Sequence, residues 1–173
     1  MQILAARKYA TPRNGPLSLE QRETRRIAYA IKSIASASAD FAAAAEEMAA
    51  LITGPCWLVP IPSSTGSTDA NARLAHMIAS RTPGAQVVKA IRRTHPIQSQ
   101  CERHKLALGP IPPEQHHLAR TAKLLTLRQT YFVDNVTTSG HTLEAARLAL
   151  GFGAGLVFAD AANRRTQIQA TLF

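Results

Sequence analysis

Residues 134–142, DNVTTSGHT, concentrate the side chains whose types and spacing could do chemistry. A loop of small residues that runs into a helix aims several backbone N–H groups in one direction, and the helix dipole adds to their attraction for an anion. Gly140 lets the backbone approach closely, while Thr137, Thr138, Ser139 and Thr142 each carry a hydroxyl. A phosphate dianion would meet both kinds of donor with no cationic side chain required. Asp134 and Asn135 stand where an apolar run releases the chain. An acid and an amide can each bridge a vicinal diol, so the pair suits sugar hydroxyls. His141 adds a ring N–H, and a nearby phosphate would favour its charged form. The same residue types also cap helices and make turns. The apolar run before the loop and the helical pattern after it therefore carry the discrimination.

Other reactive side chains are less informative. His95, His104, His116 and His117 share one polar stretch, but their spacing suits no metal site, and the adjacent pair reads as surface. Cys56 opens an apolar run and reads as core, as do Trp57 and Met48. Cys101 lies in the polar stretch with no triad partner in sight. Two cysteines are too few for a metal cluster or a disulfide framework, which suits a reducing, cytoplasmic setting.

The elements that must position the loop follow from pattern. Residues 1–17 hold Pro12, Gly15 and Pro16 and predict an irregular lead-in. Ser18 with Gln21 three residues on has capping-box spacing and opens a helical tract. The Ser/Ala stretch 36–39 bends or breaks that tract, and Gly54-Pro55 ends it. Residues 56–61, CWLVPI, predict a strand, followed by a polar loop and a helix over 72–80. Residues 86–92 predict a second strand. A long polar segment over 93–117 is either a functional flap or partly helical, and a helix is expected over 118–127. Residues 129–136 predict the clearest strand, 142–150 a short helix and 155–161 a last strand. Strand alternating with helix in this order predicts an α/β fold with an open, mainly parallel twisted sheet flanked by helices. The expected division is an N-terminal helical segment over 1–55, serving as hood or interaction element, and an α/β core over 56–173.

Bulk properties limit the function classes. The chain has 173 residues, 46% hydrophobic and 18% charged, which fits one ordinary globular domain. No run approaches the roughly 18 uncharged apolar residues of a membrane span, and the first residues turn polar too soon for a signal peptide. Net charge is +9, with fifteen arginines to five lysines. An anionic partner is implied: a phosphorylated small molecule, nucleic acid or an acidic protein.

VDNVTTSGHT, residues 133–142, resembles the PRPP-binding signature of the type I phosphoribosyltransferases, and the resemblance covers roughly residues 55–165, most strongly 130–142. That signature joins an apolar strand, two acids, three variable positions, a small hydroxyl residue, Gly, one further residue and Thr. The resemblance assigns Asp134 and Asn135 to the diol, and Thr138, Ser139, Gly140, His141 and Thr142 to the 5′-phosphate cradle. It assigns Ser63, Ser64, Thr65 and Gly66, within LVPIPSSTGST, to the pyrophosphate-side loop. Arg92 or Arg93, Gln98 and Arg103, within IRRTHPIQSQCER, resemble the flexible-loop pattern of the ComF-like branch. Residues 158–165, FADAANRR, fall where the family has its last strand and base-side loop. Two departures stand out. Position 135 is Asn where the signature has a second acid, and the N-terminal Cys-rich metal motif often found in ComF-like proteins is missing.

The resemblance implies Mg²⁺-dependent transfer of a phosphoribosyl group from PRPP to a nitrogenous base with release of pyrophosphate. Asp134 would hold the ribose hydroxyls and offset charge at the ring, and Arg92, Arg93, Arg103 and Lys105 would close over the pyrophosphate. Three functions stay open: this glycosyltransferase, a catalytically weak module sensing PRPP or a nucleotide, and a ComF-like protein acting with nucleic acid, for which the +9 charge and the Arg-rich tract 22–26 are the warrant. A homodimer through the Ala-rich helix is compatible with each.

Overall fold

In the computed structural model of the chain, residues 1–11, 15–99, 102–103, 106–125 and 127–162 are described. The elements run β1 (Ile3–Lys8), α1 (Leu19–Ala30), α2 (Ser38–Ala49), β2 (Cys56–Pro60), α3 (Asp69–Ala79), β3 (Gln86–Val87), β4 (Ile91–Arg93), a 3-10 turn (Pro113–His116), β5 (Leu118–Arg120), β6 (Gln129–Thr137), α4 (His141–Leu150) and β7 (Ala154–Asp160). Five strands form one sheet in the order β1-β7-β6-β2-β3. Every pairing in it is parallel. Strands covered on both faces read as continuous apolar runs, and residues 130–133 of β6 are all buried.

Alternate residues of β6 serve two cores. Tyr131 and Val133 pack with Ile27, Ile31, Phe41, Met48, Leu74 and Ile78, from α1, the turn after it, α2 and α3. Phe132 points the other way, to Val59, Ile91, Leu143, Ala146 and Leu150. Thus α1, α2 and α3 cover one face, while α4 and the antiparallel β4–β5 ribbon cover the other. After β2 the chain passes through α3 to β3 on one side. After β6 it passes through α4 to β7 on the other. The two connections part company between β2 and β6, which makes that gap the topological switch point, where open parallel sheets bind ligands.

Four local expectations need amendment. The lead-in is not irregular: β1 pairs with β7 over Ile3↔Gly155 to Lys8↔Asp160. Gly15 and Pro16 both follow the strand, and Pro12 lies outside the described residues. Residues 1–55 thus contribute an edge strand as well as two helices, and the Arg7 guanidinium clasps Glu47 of α2 at 2.6 and 2.8 Å. The strand expected over 86–92 is split into β3 and β4, which belong to different sheets. The helix expected over 118–127 is instead β5, because Ile91, Arg92 and Arg93 supply a strand for it to pair with. By contrast, the Ser18–Gln21 capping box is formed in both directions. No helix among the described residues is long and apolar enough to cross a membrane.

Candidate ligand cleft at the switch point

A cleft of about 520 Å³ opens at the carboxyl ends of β2 and β6. Its floor is Asp134 and Asn135; its walls are the β2–α3 loop, the start of α3, Arg93 and residues 97–99, with Thr142 of α4 at one end.

Asp134 is held by two donors on a single oxygen. The Asn71 amide of α3 donates to Oδ1 at 3.1 Å, and the Asn135 backbone N–H donates to the same atom at 2.8 Å. Both donors fall on Oδ1, and the residue lines the cleft. Asn71 donates to Ile61 O as well, at 2.9 Å, which ties the end of β2 to the carboxylate. Burial raises the Asp134 pKa above the ordinary carboxylate value, against the pull of its hydrogen bonds and of the Lys32 and Arg93 charges. A strained carboxylate at a switch point is the kind of group a binding site keeps at a cost in stability.

Asn135 is differently engaged. Its Oδ1 accepts from Val136 N at 2.8 Å, and its Nδ2 donates to Ala28 O of α1 at 3.4 Å. The amide therefore anchors α1 to the end of β6, and one lone pair and one N–H remain for a ligand.

The proposed cradle divides. Thr137 is the last residue of β6, buried at 6% exposure. Gly140 adopts φ +83°, a left-handed conformation that only Gly takes without strain, and it starts α4 with no side-chain cap. The first amides of a helix have no intrahelical acceptor. His141 N is held at 3.3 Å by Ser139 Oγ. Thr138 is exposed and Ser139 half-buried, and Thr142 reaches the cleft itself.

The His141 ring turns away from this role. Its Nδ1 donates to Ile111 O at 2.9 Å, and His116 Nε2 donates to the same carbonyl at 3.2 Å. A carbonyl can only accept, so both nitrogens carry protons. Contrary to the surface reading of the pair, His116 is 1% exposed, while His117 is exposed and takes a left-handed φ of +51°. Burial lowers the His116 pKa, and the positive Arg93 adds to the effect.

On the β2–α3 loop, Gly66 N donates to Ser63 O at 3.0 Å and Ser63 N to Ser67 O at 2.7 Å, closing a tight turn in which Gly66 has φ +100°. Ser63, Ser64 and Thr65 line the cleft; Gly66 shapes the turn. Of the flexible-loop set, Arg93 and Gln98 line the cleft and Arg92 and Arg103 do not. Arg93 Nε donates to Ser63 O at 2.7 Å, Nη2 to Pro62 O at 3.3 Å and Nη1 to His116 O. It therefore clamps the loop to the covering segment while keeping its charge in the wall. Arg103 donates to Gly109 O at 2.8 Å within its own segment. Lys105, His104, Cys101 and residues 163–165 lie outside the described residues.

Among the cleft residues not singled out as ligand contacts from sequence are Lys32, Asn71 and His116. Asn71 carried a legible signal, being the polar residue in the first turn of the helix after the loop. Lys32 carried none, because its place depends on how the α1–α2 turn folds back. Arg73 shapes that turn by donating to Ile34 O, Ser36 O and Ser38 Oγ at 2.7, 3.1 and 2.8 Å. Among the described residues no group of three or more His, Cys, Asp or Glu could hold a metal ion. No protein-family model matches the chain, and no curated protein and no solved structure matches it either.

Proposed function

We propose that the cleft binds PRPP or a related ribose 5-phosphate, and that the protein transfers the phosphoribosyl group to a nitrogenous base with release of pyrophosphate. One observation supports the reading: Asp134, its Oδ1 engaged by Asn71 and by the Asn135 amide, lines the switch-point cleft together with Thr142 in the first turn of α4, whose N-cap Gly140 makes no side-chain cap bond. A sugar phosphate could then place its ring hydroxyls on the carboxylate and its 5′-phosphate on the amides and hydroxyls of 138–142. Arg93 and Lys32 set positive charge in the wall, on the side where a pyrophosphate would lie against Ser63–Thr65.

In such a transfer the bond from C1′ to the pyrophosphate oxygen breaks and a bond from C1′ to the attacking nitrogen forms. Positive charge develops at the ring, so a fixed negative group beneath it stabilises the transition state more than the ground state. Asp134 supplies that charge. Covering the leaving group excludes water as a competing nucleophile, a role that residues 97–99 and His116, which line the cleft, would fill. A Mg²⁺ ion suits this donor set only as an ion carried largely by the ligand's own oxygens, with Asp134 as a protein anchor. When bound it would neutralise the leaving pyrophosphate.

A second reading, a binding module with little turnover, is favoured by Asn135, which brings no negative charge and whose amide is already bonded once at each end, to Val136 and Ala28. Asn135→Asp separates the two: a binding module gains turnover, and an enzyme changes little or loses activity. The primary test is calorimetry with PRPP plus Mg²⁺, ribose 5-phosphate and a nucleotide panel. Saturable 1:1 heat that vanishes in Asp134→Ala supports the reading. Silence with every phosphorylated ribose overturns it.

A further inference from the structure

The β2–β6 ladder stops one rung short of where its register allows. Ile61 N donates to Val133 O at 3.0 Å, continuing the Pro60↔Val133 pairing. Parallel strands space such bonds evenly, so the next rung would run from the Asn135 N–H to Ile61 O. Neither group is used in that way. Asn135 N donates to Asp134 Oδ1 at 2.8 Å, and Ile61 O accepts from Asn71 Nδ2 at 2.9 Å. The second hydrogen of the same Asn71 amide goes to Asp134 Oδ1 at 3.1 Å. Two side chains thus stand in for one missing backbone bond, and each released backbone group still has a partner, as groups shielded from water require.

The direction of the Asn71 amide is fixed by its neighbours. A carbonyl and an ionised carboxylate can only accept, so the NH₂ end, and not the oxygen, must face both. Asn71 takes its place from the first turn of α3. Arg93 holds the departing chain beyond Ile61, through Pro62 O at 3.3 Å and Ser63 O at 2.7 Å. We infer that Asn71 is a positioning residue: by occupying Ile61 O it keeps β2 and β6 apart at the switch point, and so holds the Asp134 carboxylate in place on the floor of the cleft. Without its amide, Ile61 O and the Asn135 N–H are free to pair directly. Asp134 then loses one donor by deletion and the other by competition. The consequence for a sugar phosphate rests on the ribose 5-phosphate site proposed above, whereas the hold on Asp134 does not.

The test follows the Asp134 side-chain carboxyl carbon by NMR across pH, without ligand, in the parent and in Asn71→Ala. Donors to the ionised form lower a carboxyl pKa. The charges that reach Asp134, Lys32 from the turn after α1 and Arg93 from β4, are the same in both proteins. The Asp134 midpoint is expected to rise by about one pH unit or more in Asn71→Ala, and an unchanged midpoint overturns the role even if the variant is less stable. A second measurement needs no variant. Coupling across the hydrogen bond should link Asn135 N to the Asp134 carboxyl carbon; coupling to the Ile61 carbonyl carbon, or none to Asp134, overturns the arrangement. Ribose 5-phosphate affinity at neutral pH is expected to be about tenfold or more weaker in Asn71→Ala. Equal affinity in the two proteins overturns Asn71 as a positioning residue. A parent that binds no ribose 5-phosphate removes the proposed function instead, and the Asp134 midpoint then decides the role of Asn71.

Discussion

Asp134 is expected to lower the stability of the protein that depends on it. Burial raises its pKa in the folded chain, so between the ordinary carboxylate value and that raised value the folded state holds more protons than the unfolded state. Stability from this group is therefore fully present in acid and is lost as pH rises through the folded value. Asp134→Asn removes the charge while keeping an acceptor for Asn71 and for the Asn135 amide. We expect Asp134→Asn to melt at a higher temperature than the parent at neutral pH and to bind no ribose 5-phosphate, with the difference in melting shrinking in acid. Equal melting at pH 7 would show that the carboxylate carries no such strain. His116 behaves in the opposite sense. Its folded pKa is lowered, so its neutral form is favoured and stability is lost as pH falls from the ordinary imidazole range toward the folded value. Since His116 and His141 both donate to Ile111 O, that loss is local. Amide protection factors over residues 111–117, taken relative to the intrinsic exchange rate at each pH, should fall on moving from pH 7.5 to pH 5.5, and His116→Gln should flatten the dependence.

At the scale of elements, the uncapped start of α4 depends on Gly140 being able to take φ +83°. Gly140→Ala costs about 1–2 kcal/mol from the left-handed strain alone. Because Gly140 also sets the direction of the first amides of α4, sugar-phosphate affinity is expected to fall by more than the stability does. Chemical denaturation with parallel binding measurements checks both. Much at this scale was legible in the sequence. The Ser18 capping box, the apolar run into Asp134 and the Gly140 turn each rest on contacts within a few residues, and the sequence displays those directly. What escaped depends on distant partners. β1 is a strand because β7 lies beside it, and β5 because β4 does. Arg93 and Gln98 reach the cleft while Arg92 and Arg103 do not, and nothing in the local pattern of 92–103 distinguishes them. Asn135 was legible as a departure from two acids, whereas its bond to Ala28, 107 positions away, was not.

Across the whole molecule, the +9 charge and the cleft make different demands on an anion. Binding through diffuse charge falls steeply with salt, roughly in proportion to the phosphates contacted, whereas contacts to one phosphate and a diol are far less sensitive. Between 50 and 200 mM salt, ribose 5-phosphate affinity is expected to fall by no more than about fivefold, and any affinity for single-stranded oligonucleotides to fall by orders of magnitude. The architecture itself assigns the cleft its place, since the strand order reverses between β2 and β6 and opens the sheet there. The most direct test is a titration of isotopically labelled protein with ribose 5-phosphate, followed through its backbone amide resonances. Saturable shifts that are largest at residues 134–142 and extend to 63–66 are predicted, with ribose alone moving only the neighbourhood of Asp134. If the amides of Gly140, His141 and Thr142 stay unmoved while a phosphorylated ribose binds elsewhere, the carboxyl end of β6 is not the sugar-phosphate site.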